Sequence, residues 1–241
     1  MIENTAYIVL SRQTAMRRQL DVIANNIANS GTTAFKSEEV LFDEYLVDGD
    51  QTRSKISFVT DIGTARNLQA GEFTRTENPL DLAIRGRGYL TVETPDGERY
   101  TRNGSLRIDS EGYLSTSYGY KVLDQDGRAI ELDPTDPQLT VARDGTITGG
   151  QGAIGRLAVV TFENEQNLQQ TGSGLYRTDD RPEQAEDVNI EQGMLENSNV
   201  EPILEMTRMI ELSRNYQSTN SMISREDEMR RRGIERLGSV S

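Results

Sequence analysis

Apolar side chains recur at steps of three and four at both ends of the chain, and at steps of two between them. Near the N-terminus Ile2, Ala6, Val9, Gln13, Met16, Leu20, Ile23 and Ile27 form a heptad-like seam in which only Gln13 is polar. That spacing keeps one face of a helix against a partner. Arg12, Arg17, Arg18 and Asp21 lie opposite it. The pattern predicts a helix that closes near Gly31, read as a left-handed stop, with Thr32-Thr33 continuing the break. At the far end Met206, Met209, Ser213, Tyr216, Asn220, Ile223, Asp227, Arg230, Ile234 and Leu237 keep the same steps. The polar members weaken this second seam but specify register and partner number. Pro202 suits its first turn and Asn199 is a candidate cap. Met206, Met209, Met222 and Met229 give it an adaptable surface. A plainer reading of each seam stands beside this one: an amphipathic surface helix packed on its own domain, and a helix fraying into a polar tail through Arg225–Arg232.

The middle of the chain reads as β. From Asn78 onward Leu80, Leu82 and Ile84 alternate with polar or small residues, and Leu90 and Val92 continue after Gly86-Arg87-Gly88. Asp96-Gly97, Asn103-Gly104, Glu111-Gly112, Asp126-Gly127 and Asp144-Gly145 punctuate short runs such as Leu106/Ile108, Val122/Leu123, Ile130/Leu132 and Leu157/Val159. Pairs of this kind favour primed hairpin turns between antiparallel strands. Residues 37–76 read as a connector in which 38–47 extends the first helix or forms an arm. Asp48-Gly49-Asp50 breaks it, and Ser57–Gly63 forms a short strand and turn. The expected fold class is α+β: paired, coiled-coil-like N- and C-terminal helices flanking an antiparallel all-β domain. The expected divisions are 1–36 for the first helix, 37–76 for the connector, 77–190 for the β domain and 191–241 for the second helix.

Composition narrows the chemistry. Among 241 residues, 34% are hydrophobic, a lean core for the length and in keeping with helices that find burial in other subunits. The formal charge is −13, unevenly spread. Residues 1–36 hold four basic and two acidic side chains and 203–237 hold seven and six, so the middle keeps fifteen and thirty-one. Nearly neutral ends tolerate close packing against copies of themselves, whereas an acidic middle stays solvated and argues against a nucleic-acid partner. There is no Cys and no His. That removes disulfides, thiolate chemistry, the commonest general base and the commonest transition-metal ligand. No run approaches a membrane span, and no basic-then-apolar signal opens the chain, which by those rules would be cytoplasmic.

Individual motifs add no catalysis. Gly86-Arg87-Gly88 runs into a strand, Tyr89–Val92, and reads as a tight turn rather than a dinucleotide loop. Gly149-Gly150-Gln151-Gly152 lacks the ending of a phosphate loop. Asp124-Gln125-Asp126-Gly127 lacks the first ligand and the closing Glu of a calcium loop. None of Lys36, Lys55 and Lys121 sits in a Ser-x-x-Lys motif.

Several stretches match something more specific. Ala24-Asn25-Asn26-Ile27-Ala28-Asn29 with Thr32-Thr33-Ala34-Phe35-Lys36 resembles the N-terminal signature of the bacterial flagellar rod, hook and hook-associated axial proteins, although the family has Gly where Ala34 stands. Asn78–Ile84 with Gly86–Leu90, then Tyr100–Gly104 and Asp109–Leu114, resemble the family's β domain. Leu195–Val200 and Met206–Tyr216 resemble its C-terminal motif, with Ser213 where Gln is usual. The resemblance implies a subunit whose terminal helices pair inside a hollow helical tube with the β domain outside. It implies other rod proteins and copies of this chain as partners, with no nucleic acid, no direct membrane insertion, no cofactor and no enzymatic role. The implied place is the periplasm-spanning basal-body rod, proximal rod ahead of distal rod. It is reached through the flagellum's own type III export apparatus without a cleaved signal peptide, and absent Cys suits that route. The length excludes hook proteins with added outer domains and short rod proteins lacking the β domain. The residues expected to carry assembly are Val9, Met16, Leu20, Ile23, Asn25, Asn26, Ile27, Asn29, Met206, Met209, Ile210, Tyr216 and Ile223. The rival class is an enzyme or a soluble ligand-binding β domain with decorative helices.

Overall fold

The computed structural model describes residues 2–48, 55–133, 139–185 and 188–238. Two helices carry the ends: α1 (Ile2–Ala28) and α2 (Pro202–Gly238). Between them run β1 (Glu38–Asp48), β2 (Lys55–Arg66), β3 (Phe73–Arg75), β4 (Leu82–Arg85), β5 (Tyr89–Thr94), β6 (Gly97–Thr101), β7 (Leu106–Ile108), β8 (Leu114–Thr116) and β9 (Lys121–Val122). There follow β10 (Thr140–Val141), β11 (Thr146–Gly149), β12 (Gly152–Arg156), β13 (Val159–Thr161), β14 (Gln169–Gly172), β15 (Leu175–Arg177), β16 (Glu183–Gln184), β17 (Asn189–Gln192) and β18 (Met194–Glu196). Among the described residues all strand pairings are antiparallel, so the α+β class expected from the pattern is the observed one.

The chain divides into two compact units. The first holds residues 1–28, 38–66 and 201–241. In it α1 packs on α2 and on the β1–β2 hairpin, whose strands are eleven and twelve residues long, far longer than the short strand and turn expected around Ser57–Gly63. The hairpin register slips once, where Leu41 faces Gly63 and Phe42 faces Asp61. Pro202 opens α2, where its missing N–H costs nothing.

The second unit holds residues 29–37 and 67–200. Its main sheet runs β14-β15-β6-β5-β9-β8-β7, with β13 pairing both β5 and β16. Smaller sheets join β10-β11-β12, β17-β4 and β18-β3. The period-two positions fill the core: Leu82, Ile84, Leu90, Val92, Leu106, Leu114, Val122, Ile130, Leu132, Leu157 and Val159 are all buried. A second cluster, built from Tyr89, Tyr100, Phe162, Leu168 and Tyr176, escaped the pattern because its mostly aromatic members, scattered between Tyr89 and Tyr176, show no period.

The turn residues were legible, but the turn class was not. A primed turn requires positive φ at its first central residue, and in type I′ at the second as well. None of Asp96, Asn103, Glu111, Asp126 or Asp144 has it. Four turns share another design instead: Asp109–Gly112, Thr116–Gly119, Asp124–Gly127 and Ala142–Gly145. In each the Gly N–H donates to the carbonyl of the first residue, whose own N–H donates to the residue after the Gly. This is a type I turn closed by a left-handed residue, and Gly is the type that enters that region without a Cβ clash (φ 90° at Gly112, 76° at Gly127). In two of the four, an Asp carboxylate locks the turn by accepting from two later N–H groups, at 2.9 Å from Glu111 and Tyr113 to Asp109 and at 2.9 and 2.8 Å from Asp126 and Arg128 to Asp124. Asn103-Gly104 is not a turn of this kind. A Cβ at Gly104 would lie 1.7 Å from the Leu82 carbonyl oxygen, so the glycine serves close backbone approach.

Candidate assembly surface

In the first unit the two seams meet. Gln13, the one polar member on α1, donates its amide to Asn220, a polar member on α2. Asn26 reaches Glu205 at the other end of the pair, so the helices run antiparallel. Met16 is buried, and Val9, Leu20, Ile23 and Ile27 are half-buried. Val22 and Asn26 are buried too, because α1 also covers the hairpin and needs a wider face than a heptad stripe. On α2, Met209, Ser213, Tyr216, Asn220 and Ile223 are half-buried as the seam requires. The side chains of Ile2, Ala6, Asp227, Arg230, Ile234 and Leu237 lie outside the described residues, as do Gly49 and Asp50.

Asn26 is the polar centre of this unit. It is 2% exposed, accepts the Glu38 N–H at 3.0 Å and donates to the Glu38 carbonyl at 2.9 Å and to the Glu205 carboxylate at 3.5 Å. One side-chain amide therefore pairs the first residue of β1 as a strand would and ties it to α2. Glu205 is itself buried and takes Arg208 at 2.7 Å. It replaces Met206 as the inward residue of the first turns of α2, a position that a hydrophobic pattern cannot find.

That exchange leaves Met206 outside. Ile203, Met206 and Ile210 are 83, 51 and 54% exposed, at steps of three and four along one face of α2. Of the residues expected to carry assembly, Met206 and Ile210 lie on this open face, and Asn25 is exposed on α1.

In the second unit the segment after α1 is held by a buried ionic cluster. The Glu196 carboxylate, 1% exposed, accepts from Lys36 Nζ at 2.5 Å, Arg102 Nε at 2.6 Å and the Gly71 N–H at 3.1 Å. Lys36 also donates to the Gln69 carbonyl at 2.7 Å. Burial holds its ammonium below the ordinary lysine value, opposed by the hydrogen bond to Glu196. Arg102 spends its remaining donors on the carbonyls of Ile84, Gly86 and Gly88 at 2.9, 2.8 and 3.1 Å, which fixes the Gly86–Gly88 turn between β4 and β5. That turn is the tight one expected. Ala34, at φ 56°, donates its N–H to the Glu196 carbonyl at 2.7 Å. The left-handed residue after α1 is thus Ala34, not Gly31. Asn199 does not cap α2. It accepts from Ser37 N–H at 2.7 Å and donates to the carbonyls of Asn67 and Gln69 at 2.9 Å.

Lys36, Arg102 and Glu196 stand in the three quoted motifs, yet sequence reasoning gave them no task. The one available signal was a lone Lys beside the apolar pair Ala34-Phe35. Among the described residues no group of three or more acidic side chains is placed to hold a metal ion, and no helix is long and apolar enough to cross a membrane.

Two long antiparallel terminal helices with an open apolar face, and a β unit pinned by motifs from both ends of the chain, describe an axial structural subunit. Three family models match in chain order. They are described as flagella basal body rod protein (residues 7–36), flagellar hook protein FlgE/F/G D1 domain (83–149) and flagellar basal body rod FlgEFG protein C-terminal (191–236). The chain belongs to this flagellar hook and basal-body rod family. It is 40% identical to the flagellar basal-body rod protein FlgF of Caulobacter vibrioides and 33% identical to that of Mesorhizobium japonicum, over 100% of each chain in both cases. It is 34% identical to the flagellar basal-body rod protein FlgG of Bacillus subtilis over 92% of this chain and 95% of that one.

Proposed function

We propose that this chain is a structural subunit of the proximal segment of the flagellar basal-body rod, a helical drive shaft that transmits torque from motor to hook. It packs against copies of itself and neighbouring rod subunits through its terminal helices, reaches the periplasm-spanning rod by the flagellum's own export apparatus, and performs no catalysis. The observation that carries the reading is similarity to rod protein FlgF from end to end, joined to the exposed Ile203–Met206–Ile210 face of α2. A place in the distal rod is the second reading, supported by the FlgG relatives, whose match covers less of both chains.

Exposure makes Ile210 the better test site. Ile27 and Met209 are half-buried within their own unit, so a charge there endangers folding as well as assembly. Ile210→Glu adds a charge to a face already in water and should change monomer stability by no more than about 0.5 kcal/mol. Cells carrying it should lose motility, and their basal bodies should lack the chain by immunoblot and electron microscopy. Arg17→Glu should be milder. If Ile210→Glu cells swim and build basal bodies that contain the chain, this face of α2 is not the assembly surface.

A further inference from the structure

Three arginines converge on one cleft of the second unit. The cleft, of about 1190 Å³, is lined by Arg87, Arg156, Arg181, Thr161 and Glu183, among others. Among its described lining residues three guanidinium groups meet one carboxylate, in a stretch of chain where acids outnumber bases two to one. Two of the three are held in place from behind. Arg87, presented by the Gly86–Gly88 turn, donates Nε to Glu165 at 2.6 Å and Nη2 to the Phe162 carbonyl at 2.7 Å, yet its side chain stays 64% exposed. Arg156 donates Nε to the Asp144 carbonyl at 2.8 Å. Arg181 is exposed and makes no ion pair among the described residues. Guanidinium groups fixed by their inner edges offer a planar fork to carboxylates.

The complementary surface lies at the other end of β5. The turn that joins β5 to β6 carries Glu93, Asp96 and Glu98, all exposed and without an ion pair among the described residues. Glu93 and Glu98 are direct cross-strand partners, a like-charge pairing that destabilises a hairpin unless a cation relieves it. Lys121, the neighbour of Glu93 on β9, is engaged by Glu111 at 2.8 Å and by the Tyr113 ring. Arg87 of the cleft sits before the first residue of β5, whereas Glu93 is near the strand's other end and Asp96 and Glu98 lie beyond it, roughly 20 Å away along a six-residue strand. A basic site and an acidic knob at opposite ends of one strand cannot satisfy each other within a copy. A contact between them would need two copies and would be head-to-tail, the kind that propagates into open helical filaments.

We propose that the Arg87/Arg156/Arg181 cleft is a carboxylate-binding site whose occupant is the Glu93–Glu98 turn of a second copy of this chain. The proposal rests on the self-assembly reading above and adds to it a specific contact between β units, separate from the helix faces.

The chain has no Cys, so introduced thiols are unique. Pro95→Cys marks the acidic turn and Gln184→Cys marks the cleft rim, each leaving every charge in place. Both full-length variants are co-produced in one strain, and isolated basal bodies are oxidised. The expected product is a mixed disulfide dimer that joins the turn thiol of one copy to the rim thiol of the other. Identified by its tryptic peptide, it should be in at least fivefold excess over either homodimer. Ser110→Cys in place of Pro95→Cys should not form it. Arg181→Glu in the cleft copy should cut the yield at least fivefold, and Glu93→Arg with Glu98→Arg in the partner copy should restore it. Basal bodies that contain the chain but yield no turn-to-rim link overturn the contact alone. A link from the turn thiol to a protein other than this chain overturns the second copy as occupant. Basal bodies that lack the chain altogether overturn the rod reading and the contact with it.

Discussion

Single residues here carry tasks that their types do not advertise. Ala34 occupies a left-handed backbone position where resemblance led one to expect Gly, because the pull of its N–H on the Glu196 carbonyl fixes the bend. Tyr89 looks like an ordinary strand residue, yet it is buried and donates to the buried Glu165 at 2.9 Å. Burial first, then the nearby Glu165 carboxylate, raises its phenol well above the ordinary tyrosine value of 10.0. The folded state therefore keeps this proton when the unfolded chain gives it up. Its stabilising contribution is complete below the unfolded value and is lost as pH climbs from there toward the folded one. Lys36 works in the opposite sense: its lowered value means the unfolded chain holds the proton longer, which favours the fold as pH rises toward the ordinary lysine range. Tyr89 carries the larger shift, so the urea midpoint of the β unit should fall between about pH 9 and about pH 11, and Tyr89→Phe should flatten that fall. A parent midpoint that rises across this window, or a variant that falls as steeply, would show that Tyr89 does not govern alkaline stability.

At the scale of elements, the sequence is most legible where burial repeats with the backbone. The period of two located the interior of β4, β5 and β9, and the steps of three and four located both helices. It fails where a polar group replaces an apolar one at an inward position. Glu205 displaced Met206 at the start of α2, and Asn26 took a place between strand and helix that no hydrophobic count reveals. The seams contain a testable case in Gln13 and Asn220, which bond to each other across the helix pair. Polar pairs in a seam lower stability and set register. Asn220→Leu strands the Gln13 amide in a half-buried site and should cost about 1 kcal/mol. Adding Gln13→Leu removes both polar groups and should bring stability back to the parent level or above it. Urea titration followed by circular dichroism at the helix wavelength reads both. A silent single variant would mean that the amides exchange freely with water and that the pair sets no register.

For the whole molecule, the decisive contacts join residues too distant in sequence for any pattern to connect. Lys36 meets Glu196 across 160 positions, and Arg102 meets it across 94. Each of the three lies in a motif that family resemblance singles out, but only the fold shows that they share one carboxylate. The consequence concerns what a protease leaves behind. The β domain expected from the pattern, residues 77–190, would survive with everything before it lost. The ionic cluster argues for a different product. Segment 29–37 belongs to the second unit, with Phe35 and Lys36 each 4% exposed. Removing Lys36 would take two hydrogen bonds out of a buried site, to the Glu196 carboxylate and the Gln69 carbonyl, while Arg102 still balances the carboxylate, at a cost of about 1–3 kcal/mol. Cleavage within 38–66 touches none of these contacts. Limited proteolysis of the free monomer should therefore trim α1 and α2 and nick the chain between the units, yet retain a peptide spanning 29–37 bound without a covalent link to the 67–200 fragment. Size exclusion followed by mass spectrometry detects the pair. Lys36→Ala should release the peptide and lower the melting temperature of what remains. If the trimmed core from the parent protein carries no residues from 29–37 and melts no lower than the intact chain, the Lys36–Glu196–Arg102 cluster is not what holds the 29–37 segment on the β unit.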